Sequence, residues 1–240
     1  VTYVSEDLQN QAIENFKDID AKGIVVHNFV DVRKFSPSKS ERDYTRKVLG
    51  ISNNKVVVYH ASNFRWVKNT QLIVEAAIEL KKKNNHKNLI FLMLGDGPDK
   101  NELQQKVKDS DLEENFIFVG KQDNVVPFIN ASELGLLSSR KESFGLTILE
   151  SMACGKAVIG SRVGGIPEVI EEGENGLLFT SEDSRSLADA ILRLVENEKL
   201  RNEMGEKNRN KVLERFTKKQ IIPRYLAIYE DKLLEEALAN

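Results

Sequence analysis

The feature that most constrains the fold is a regular alternation of short, β-rich apolar runs with segments of helical periodicity. Each apolar run is followed by a helical segment, and successive runs lie about 10–25 residues apart, the length of a right-handed crossover. This alternation predicts a parallel sheet with helices on both faces. The predicted strands are Lys55–His60, Leu89–Leu94, Phe116–Val119, Leu134–Leu137, Ala157–Gly160 and Leu177–Phe179.

The helical segments between these runs complete an α/β, Rossmann-like, doubly wound domain. Its ligand site is expected at the carboxyl ends of the strands. The predicted helices are Asn69–Lys83, Lys100–Ser110, Val125–Asn130, Leu146–Ala153 and Ile166–Glu171. Three further helical patterns follow, at Ser184–Asn197, Glu198–Arg215 and Thr217–Leu238, and Pro223 is expected to kink the last of them.

The first 40 residues have a different character. Glu6–Phe16 is predicted to be helical, Ile24–Val26 to be a strand and Asn28–Ser40 to be irregular. The chain begins with Val1, and the residues that follow resemble the end of a strand. We therefore expect residues 1–40 to be the tail of a preceding domain plus a linker, in a piece of a longer protein.

Composition excludes several classes of function. The net charge of −2 does not indicate the excess of basic residues that is typical of a nucleic-acid-binding protein. No apolar run reaches the roughly 20 residues that span a bilayer, and no signal peptide is visible. The single cysteine, Cys154, fits a reducing compartment and lies on an apolar helix face, where a buried structural thiol is expected. These observations predict a cytoplasmic protein.

Two carboxylates flank a turn between a predicted strand and a predicted helix. Glu142 precedes a Ser-Phe-Gly turn, and Glu150 lies within the helix that follows. Free N–H groups at a helix start can cradle an anion, and neighbouring carboxylates can accept hydrogen bonds from hydroxyls. An ordinary strand–turn–helix would leave such carboxylates solvated, but Glu150 lies among small and apolar residues and should have a definite partner. A nucleotide sugar would suit such a site, because its diphosphate lies between two groups that carry hydroxyls, the ribose and the sugar.

A cationic loop follows the first predicted strand. Arg65 and Lys68 lie in the segment from Ser62 to Lys68, where the carboxyl end of a strand would place ligand contacts. The two cations could neutralise a diphosphate without a metal. Alternatively, they are surface charges around a packing Trp66.

Other loops carry weaker signals. The turn at Gly95–Pro98 lacks the third glycine of a dinucleotide fingerprint and is interpreted as a tight strand-to-helix turn. Lys121 either touches a base or belongs to a polar loop that caps the next helix. Gly164 and Gly165 are interpreted as architecture near the site. The histidines have no metal-ligand spacing, and His60 is expected to be structural. No Asp-x-Asp pair of the kind that would hold a metal on a nucleotide sugar is found, so neither a metal nor another cofactor is predicted.

These motifs resemble the retaining glycosyltransferases of family 4, also called group 1, over nearly the whole chain. The family carries Glu-x7-Glu, matched by Glu142 and Glu150, in one half of the two-domain GT-B architecture. The stretches Ser62–Lys68, Gly120–Val125 and Lys141–Leu146 are most similar to members from the bacillithiol pathway. Those members transfer N-acetylglucosamine from UDP to L-malate.

The resemblance implies a role for each matching position. Glu142 would bind the donor sugar, Glu150 the ribose and Lys121 the uracil. Lys68 would bind the diphosphate. Many members of the family have an arginine at the position of Asn63, and in this chain the arginine, Arg65, comes two residues later. The sequence leaves open whether Asn63 or Arg65 contacts the diphosphate. The main-chain N–H groups of the turn would contact the sugar and the distal phosphate; they belong to Phe144, Gly145 and Leu146.

The resemblance also implies an organisation for the whole protein. Residues 1–40 would end the acceptor domain, 41–216 would form the nucleotide-sugar-binding domain, and 217–240 would form a helix that crosses back to the first domain. The expected partners are a nucleotide-sugar donor, a small-molecule acceptor and the upstream domain of the same chain, with a homo-oligomer left open. This chain alone is expected to be catalytically inactive.

Rival interpretations differ in specific features. An NAD-dependent oxidoreductase would need Gly-x-Gly-x-x-Gly in the first strand-to-helix turn, and Ser62–Lys68 contains no glycine. A non-catalytic nucleotide-sugar-binding module, or a GT-B synthase or phosphorylase, would share the motifs described above. The sequence also leaves uridine, adenosine and guanosine open as the nucleoside.

Overall fold

The computed structural model describes residues 1–16 and 23–230. Their secondary structure alternates along the chain as the sequence predicts. The strands are β1 (Thr2–Tyr3), β2 (Ile24–Val25), β3 (Val56–Ala61), β4 (Leu89–Leu94), β5 (Phe116–Gly120), β6 (Leu134–Leu137), β7 (Ala157–Ser161) and β8 (Gly176–Phe179). The helices are α1 (Glu6–Asn15), α2 (Lys39–Val48), α3 (Thr70–Lys82), α4 (Lys100–Asp109), α5 (Val126–Asn130), α6 (Leu146–Ala153), α7 (Ile166–Val169), α8 (Ser184–Glu196), α9 (Glu198–Arg215) and α10 (Lys218–Tyr229).

The main sheet has six parallel strands in the order β5-β4-β3-β6-β7-β8. The chain builds the sheet outward from β3 in one direction, then returns and builds outward from β6 in the other. The strand order therefore reverses between β3 and β6, and the crevice at the carboxyl ends of these two strands is where such sheets bind ligands. The predicted doubly wound parallel sheet is confirmed.

Strand residues alternate between two apolar layers. In β4, Phe91 and Met93 pack into the layer formed with α3, α4 and α8, whereas Ile90 and Leu92 pack into the layer formed with α5, α6 and α9. All four of these side chains are buried. Because successive side chains of a strand point to opposite faces, helices must cover both faces of the sheet to bury them.

One helix is not predicted by the sequence pattern. α2 begins at Lys39, inside the tail of the segment predicted to be irregular. Most of its ten residues are charged or polar, so the apolar periodicity is weak. The signal that could have found it is Ser38 followed three residues later by Glu41, because the Ser38 side chain accepts a hydrogen bond from the Glu41 N–H at 3.3 Å and caps the helix.

The segment before the sheet is fastened to the main domain. β1 and β2 form a separate parallel pair. The Glu168 carboxylate accepts hydrogen bonds from the N–H groups of Glu6 and Asp7 at 3.0 Å each, so a side chain of α7 caps the start of α1. Val30 and Phe35 pack in the apolar layer that contains α6. The predicted boundaries at residues 40 and 216 stay predictions.

Among the described residues, the segment after β8 forms three helices. α8 and α9 match their predicted bounds to within one residue, and Pro223 lies inside α10. Residues 231–238 of the predicted helix Thr217–Leu238 lie outside the described residues, as does any crossing to another domain that they make. In the part of the chain that the structure describes, no helix combines the length and apolarity needed to cross a bilayer.

Cys154 is a buried free thiol, as predicted. It follows α6 and is 2% exposed, and burial raises its pKa to about 12. A thiol that stays protonated is a poor nucleophile, which agrees with a structural role.

Candidate functional site at the strand-order reversal

The reversal point brings together two charged side chains that are far apart in sequence. Lys68 Nζ lies 2.6 Å from Glu142 Oε2, and the two side chains are 27% and 15% exposed. The Ser139 hydroxyl donates a second hydrogen bond to the same carboxylate oxygen at 3.1 Å. Lys68 follows β3 and Glu142 follows β6, so the sheet topology itself creates this pair.

The turn that carries Lys68 is held by the strand on the other side of the crevice. A 3-10 turn spans Trp66–Lys68, and Asn69 then adopts a left-handed conformation with φ of 48°. The Ser138 hydroxyl donates to the carbonyl of Lys68 at 2.9 Å. This bond fixes the main chain at Lys68 relative to the end of β6.

His60 connects the same two strands from inside the sheet. Its Nδ1 is 3.0 Å from the Leu136 carbonyl and its Nε2 is 2.8 Å from the Ser62 hydroxyl. Burial lowers the pKa of His60 to about 4, so the ring is neutral near pH 7. The structural role predicted for His60 is confirmed.

The loop of Glu142 rests on a pair of glycines, as the architectural interpretation of Gly164 and Gly165 expects. A Cβ on Gly164 would lie 1.8 Å from the Glu142 carbonyl oxygen, and a Cβ on Gly165 would lie 2.3 Å from the Ser143 carbonyl oxygen. The Gly165 N–H donates to the Glu142 carbonyl at 3.2 Å. The contact is therefore too close for any larger residue at either position.

The start of α6 offers unused donors. Gly145 precedes the helix with φ of 92°, a conformation that favours glycine. Among the described residues, none accepts a hydrogen bond from the N–H groups of Phe144, Gly145, Leu146 or Thr147. A helix start with free N–H groups carries partial positive charge and attracts anions.

Glu150 lies on α6, eight residues beyond Glu142. It is largely buried, and this burial raises its pKa to about 7, with only a weak opposing effect from Lys34. The hydroxyl of Tyr59, whose own pKa is raised first by burial and then by Glu150, has no hydrogen-bond partner within the described residues. A largely buried carboxyl group that the protein does not satisfy is suited to accept hydrogen bonds from a ligand.

A cavity of about 610 Å³ opens beside the Lys68–Glu142 pair. It lies between α1 and the loops that follow β3, β6 and β7. Its lining residues are Asp7, Leu8, Gln11, Val67, Lys68, Arg140, Lys141, Glu142, Ser143, Val163 and Gly164. Its volume is within the range of small-ligand sites.

Arg140 is a cavity residue that sequence reasoning missed. Its N–H donates to the Val67 carbonyl at 2.8 Å, its guanidinium donates to the Trp66 carbonyl at 2.6 Å, and the guanidinium lies 5.0 Å from the Trp66 ring centre. Arg140 thus joins the loop of Glu142 to the turn of Lys68. The available signal was its position three residues after a predicted strand, but only the strand order shows that this strand lies beside β3.

Other predicted site residues lie outside this cavity lining. Asn63, Arg65 and Lys121 are exposed, and Lys121 follows the edge strand β5, two strands away from β3. Leu146 is 47% exposed at the start of α6, whereas the Phe144 side chain is 2% exposed. The Phe144 ring stacks on His27 with 5.4 Å between ring centres, so only its main chain is available to a ligand.

The sequence of this chain matches a known family over most of its length. Residues 41–211 match the family model described as "Glycosyl transferases group 1". The chain belongs to this family. Among its relatives, N-acetyl-alpha-D-glucosaminyl L-malate synthase of Bacillus anthracis is 40% identical over 239 residues, which cover 98% of this chain and 60% of that protein. This group 1 chain therefore spans about 60% of the length of the curated relatives that it matches.

Solved structures agree on the fold. The Anabaena protein Alr3699/HepE in complex with UDP-glucose superposes with a TM-score of 0.89 at 25% identity, covering 96% of this chain and 63% of that one. The C-terminal domain of the group 1 glycosyl transferase LpcC from Francisella tularensis gives a TM-score of 0.69 at 31% identity, covering 78% of this chain and 98% of that domain. The fold is thus one Rossmann-like half of the GT-B architecture, as predicted.

Proposed function

We propose that this chain is the donor-binding half of a retaining, metal-independent hexosyltransferase, with UDP-N-acetylglucosamine as donor and L-malate as acceptor. The observation that carries the proposal is the ion pair of Lys68 and Glu142 at the strand-order reversal, with the free N–H groups at the start of α6 beginning two residues after Glu142 in the chain. A cation and helix-start donors match a diphosphate, and a carboxylate beside them matches sugar hydroxyls. The chemistry of the relatives named above, in particular the L-malate synthase, supports the choice of donor and acceptor.

The proposed mechanism requires charge stabilisation more than proton transfer. As the glycosyl–phosphate bond breaks, negative charge grows on the leaving UDP. Lys68, together with Arg65 or Asn63 and the start of α6, stabilises this charge. The acceptor hydroxyl attacks the face from which the phosphate departs, and a phosphate oxygen takes its proton, so the configuration is retained. Glu142 orients the sugar by accepting hydrogen bonds and does not act as a nucleophile.

The ion pair between Lys68 and Glu142 gives this mechanism a resting state. Before the donor binds, each side chain neutralises the other in a partly buried position. When a diphosphate approaches, Lys68 can exchange the carboxylate for a phosphate oxygen, which frees Glu142 for the sugar. The lysine keeps a charged partner throughout, and the Glu142 carboxylate keeps the hydrogen bond from the Ser139 hydroxyl and gains hydrogen bonds from the sugar hydroxyls.

Calorimetric titration of this chain with UDP, ADP and GDP tests the donor assignment. The proposal predicts that UDP binds most tightly and that Lys121→Ala weakens UDP more than ADP, because Lys121 is assigned to the uracil. Equal binding of the three nucleotides would remove the assignment of uridine.

The role of Lys68 is tested by substitution in the full-length enzyme. We expect Lys68→Ala to lower turnover by about 100-fold or more, the effect of removing a preorganised donor to a developing anion. Lys106→Ala is a matched control, because Lys106 Nζ forms an ion pair of the same 2.6 Å length with Glu75 on α3, away from the cavity. Near-normal turnover of Lys68→Ala, measured by release of UDP, would remove Lys68 from the mechanism.

A further inference from the structure

A second cavity lies at the opposite end of the sheet from Lys68. Its volume is about 420 Å³, and it forms where β3, β6 and β7 begin. We call it the amino-edge pocket and define it by its charged lining residues. These are Arg42, Lys55, Glu133, Lys156, Glu198 and Arg201.

The lining of the amino-edge pocket carries more positive than negative charge. It has four cationic and two acidic side chains, which gives a formal charge of +2. Moreover, the Glu133 carboxylate already forms ion pairs with two arginines. Arg42, a lining residue, lies 3.0 Å away, and the buried Arg46, which is not a lining residue, lies 2.5 Å away. The pocket is therefore more cationic in effect than its lining alone indicates.

Lys156 has no carboxylate partner of its own within the described residues. It is largely buried, and its Nζ donates only to the Asn130 carbonyl, at 3.1 Å. This burial lowers the pKa of Lys156 to about 8. A largely buried ammonium group with unused donors is costly unless an anion accompanies it.

Arg201 shows the same feature on the facing helix. Its guanidinium donates to the carbonyls of Leu194 and Val195, at 2.6 and 2.7 Å, and no ion pair to it occurs within the described ranges 1–16 and 23–230. Arg201 lies in the first turn of α9, where the helix start adds partial positive charge. Two cations that form no ion pair with the described residues therefore face one partly enclosed pocket.

We propose that the amino-edge pocket binds a small dianion, a phosphate monoester or a dicarboxylate. Lys156 and Arg201 supply the charge-assisted hydrogen bonds, and the formal charge of +2 matches the ligand. The site is separate from the donor cavity, because the strands run from one to the other.

The test is amide NMR of the chain with the donor site saturated by UDP. Inorganic phosphate and succinate are titrated separately at constant ionic strength. We expect saturable shifts centred on Gly155, Lys156 and Arg201, with a Kd of about 1 mM or lower for at least one of the two anions. Binding of phosphate alone supports a phosphate group as the ligand, binding of succinate alone supports a dicarboxylate, and binding of both supports a site for small dianions in general. The absence of a saturable shift with either anion overturns the proposal.

Variants separate this site from non-specific attraction. Lys156→Met keeps the aliphatic stem and should weaken the anion by about tenfold or more, because a hydrogen bond to a charged group is lost. Lys211→Met is the matched control, since the Lys211 side chain is only 11% exposed and its Nζ also donates to a main-chain carbonyl, that of Val169. If Lys156→Met does not fold, Arg201→Gln gives the same comparison. Unchanged anion affinity in the folded variants contradicts the proposal.

Discussion

Replacement of Glu150 by glutamine should have opposite effects on stability and on ligand binding. The folded-state pKa of Glu150 is raised from its usual value of 4.5 to about 7. Between these two pH values the folded protein keeps a proton that the unfolded chain releases, so the stability of the wild type falls as pH rises from 4.5 to 7. Above pH 7 the fold must hold a carboxylate that its surroundings do not favour.

The size of this cost follows from the pKa. At 1.36 kcal/mol per pKa unit, the interval from 4.5 to about 7 corresponds to about 3 kcal/mol, and partial contact of the carboxylate with water reduces it to between about 1 and 3 kcal/mol. Glu150→Gln removes the ionisation and keeps the shape. We therefore expect the variant to be more stable than the wild type by this amount at pH 8, and the advantage to vanish at pH 4.5.

Ligand binding should change in the other direction. A carboxylate accepts hydrogen bonds from ribose hydroxyls more strongly than an amide does, so Glu150→Gln should lose about 1.5–3 kcal/mol of UDP affinity at pH 8. Urea denaturation at pH 4.5 and 8 measures the stability, and calorimetry with UDP measures the affinity. Glu203→Gln, on the exposed face of α9, is the control that should change neither. A Glu150→Gln variant that is less stable at pH 8, or that binds UDP as tightly as the wild type, would refute the assignment of Glu150.

Two further predictions test the architecture around the cavity. Gly164→Ala should destabilise the fold by at least about 2 kcal/mol more than Gly173→Ala, because both glycines have positive φ but only Gly164 would place a Cβ 1.8 Å from the Glu142 carbonyl oxygen; equal midpoints in urea denaturation would contradict the contact. His60 should titrate near pH 4, because its pKa is lower in the folded than in the unfolded state. The stability that the neutral, buried ring contributes should be fully present above pH 6.5 and should be lost as the pH falls through 4. An imidazole NMR midpoint above pH 6 would show that the ring is not buried and neutral.

The alternation of strand and helix was readable from the sequence because both faces of the sheet are buried. Leu89–Leu94 and Leu134–Leu137 are predicted to the residue, since continuous apolar runs end abruptly where the chain leaves the core. α2 was missed because its ten residues carry few apolar side chains, and only its capping signal marks it. Local pattern therefore predicts elements that bury apolar faces, and fails for a polar helix that is held by the hydrogen bonds of a buried arginine, Arg46, to Ala131 and Glu133.

The candidate site was only partly readable. Glu142 was found from its motif and Lys68 from its position in a loop after a strand, and the structure places them 2.6 Å apart. Arg140 and Ser139 were missed because their role depends on β6 lying next to β3, which no local pattern encodes. The same holds for α1, which closes one side of the cavity although it lies about 130 residues before Glu142 in sequence.

The most direct test of the central claim compares UDP with uridine by amide NMR of this chain. The claim is that Lys68 and the N–H groups of Phe144, Gly145 and Leu146 contact one diphosphate. We predict that UDP shifts these three amides and the Lys68 side-chain resonances, whereas uridine leaves them in place. If uridine shifts them equally, or if UDP binds without moving them, the claim is contradicted.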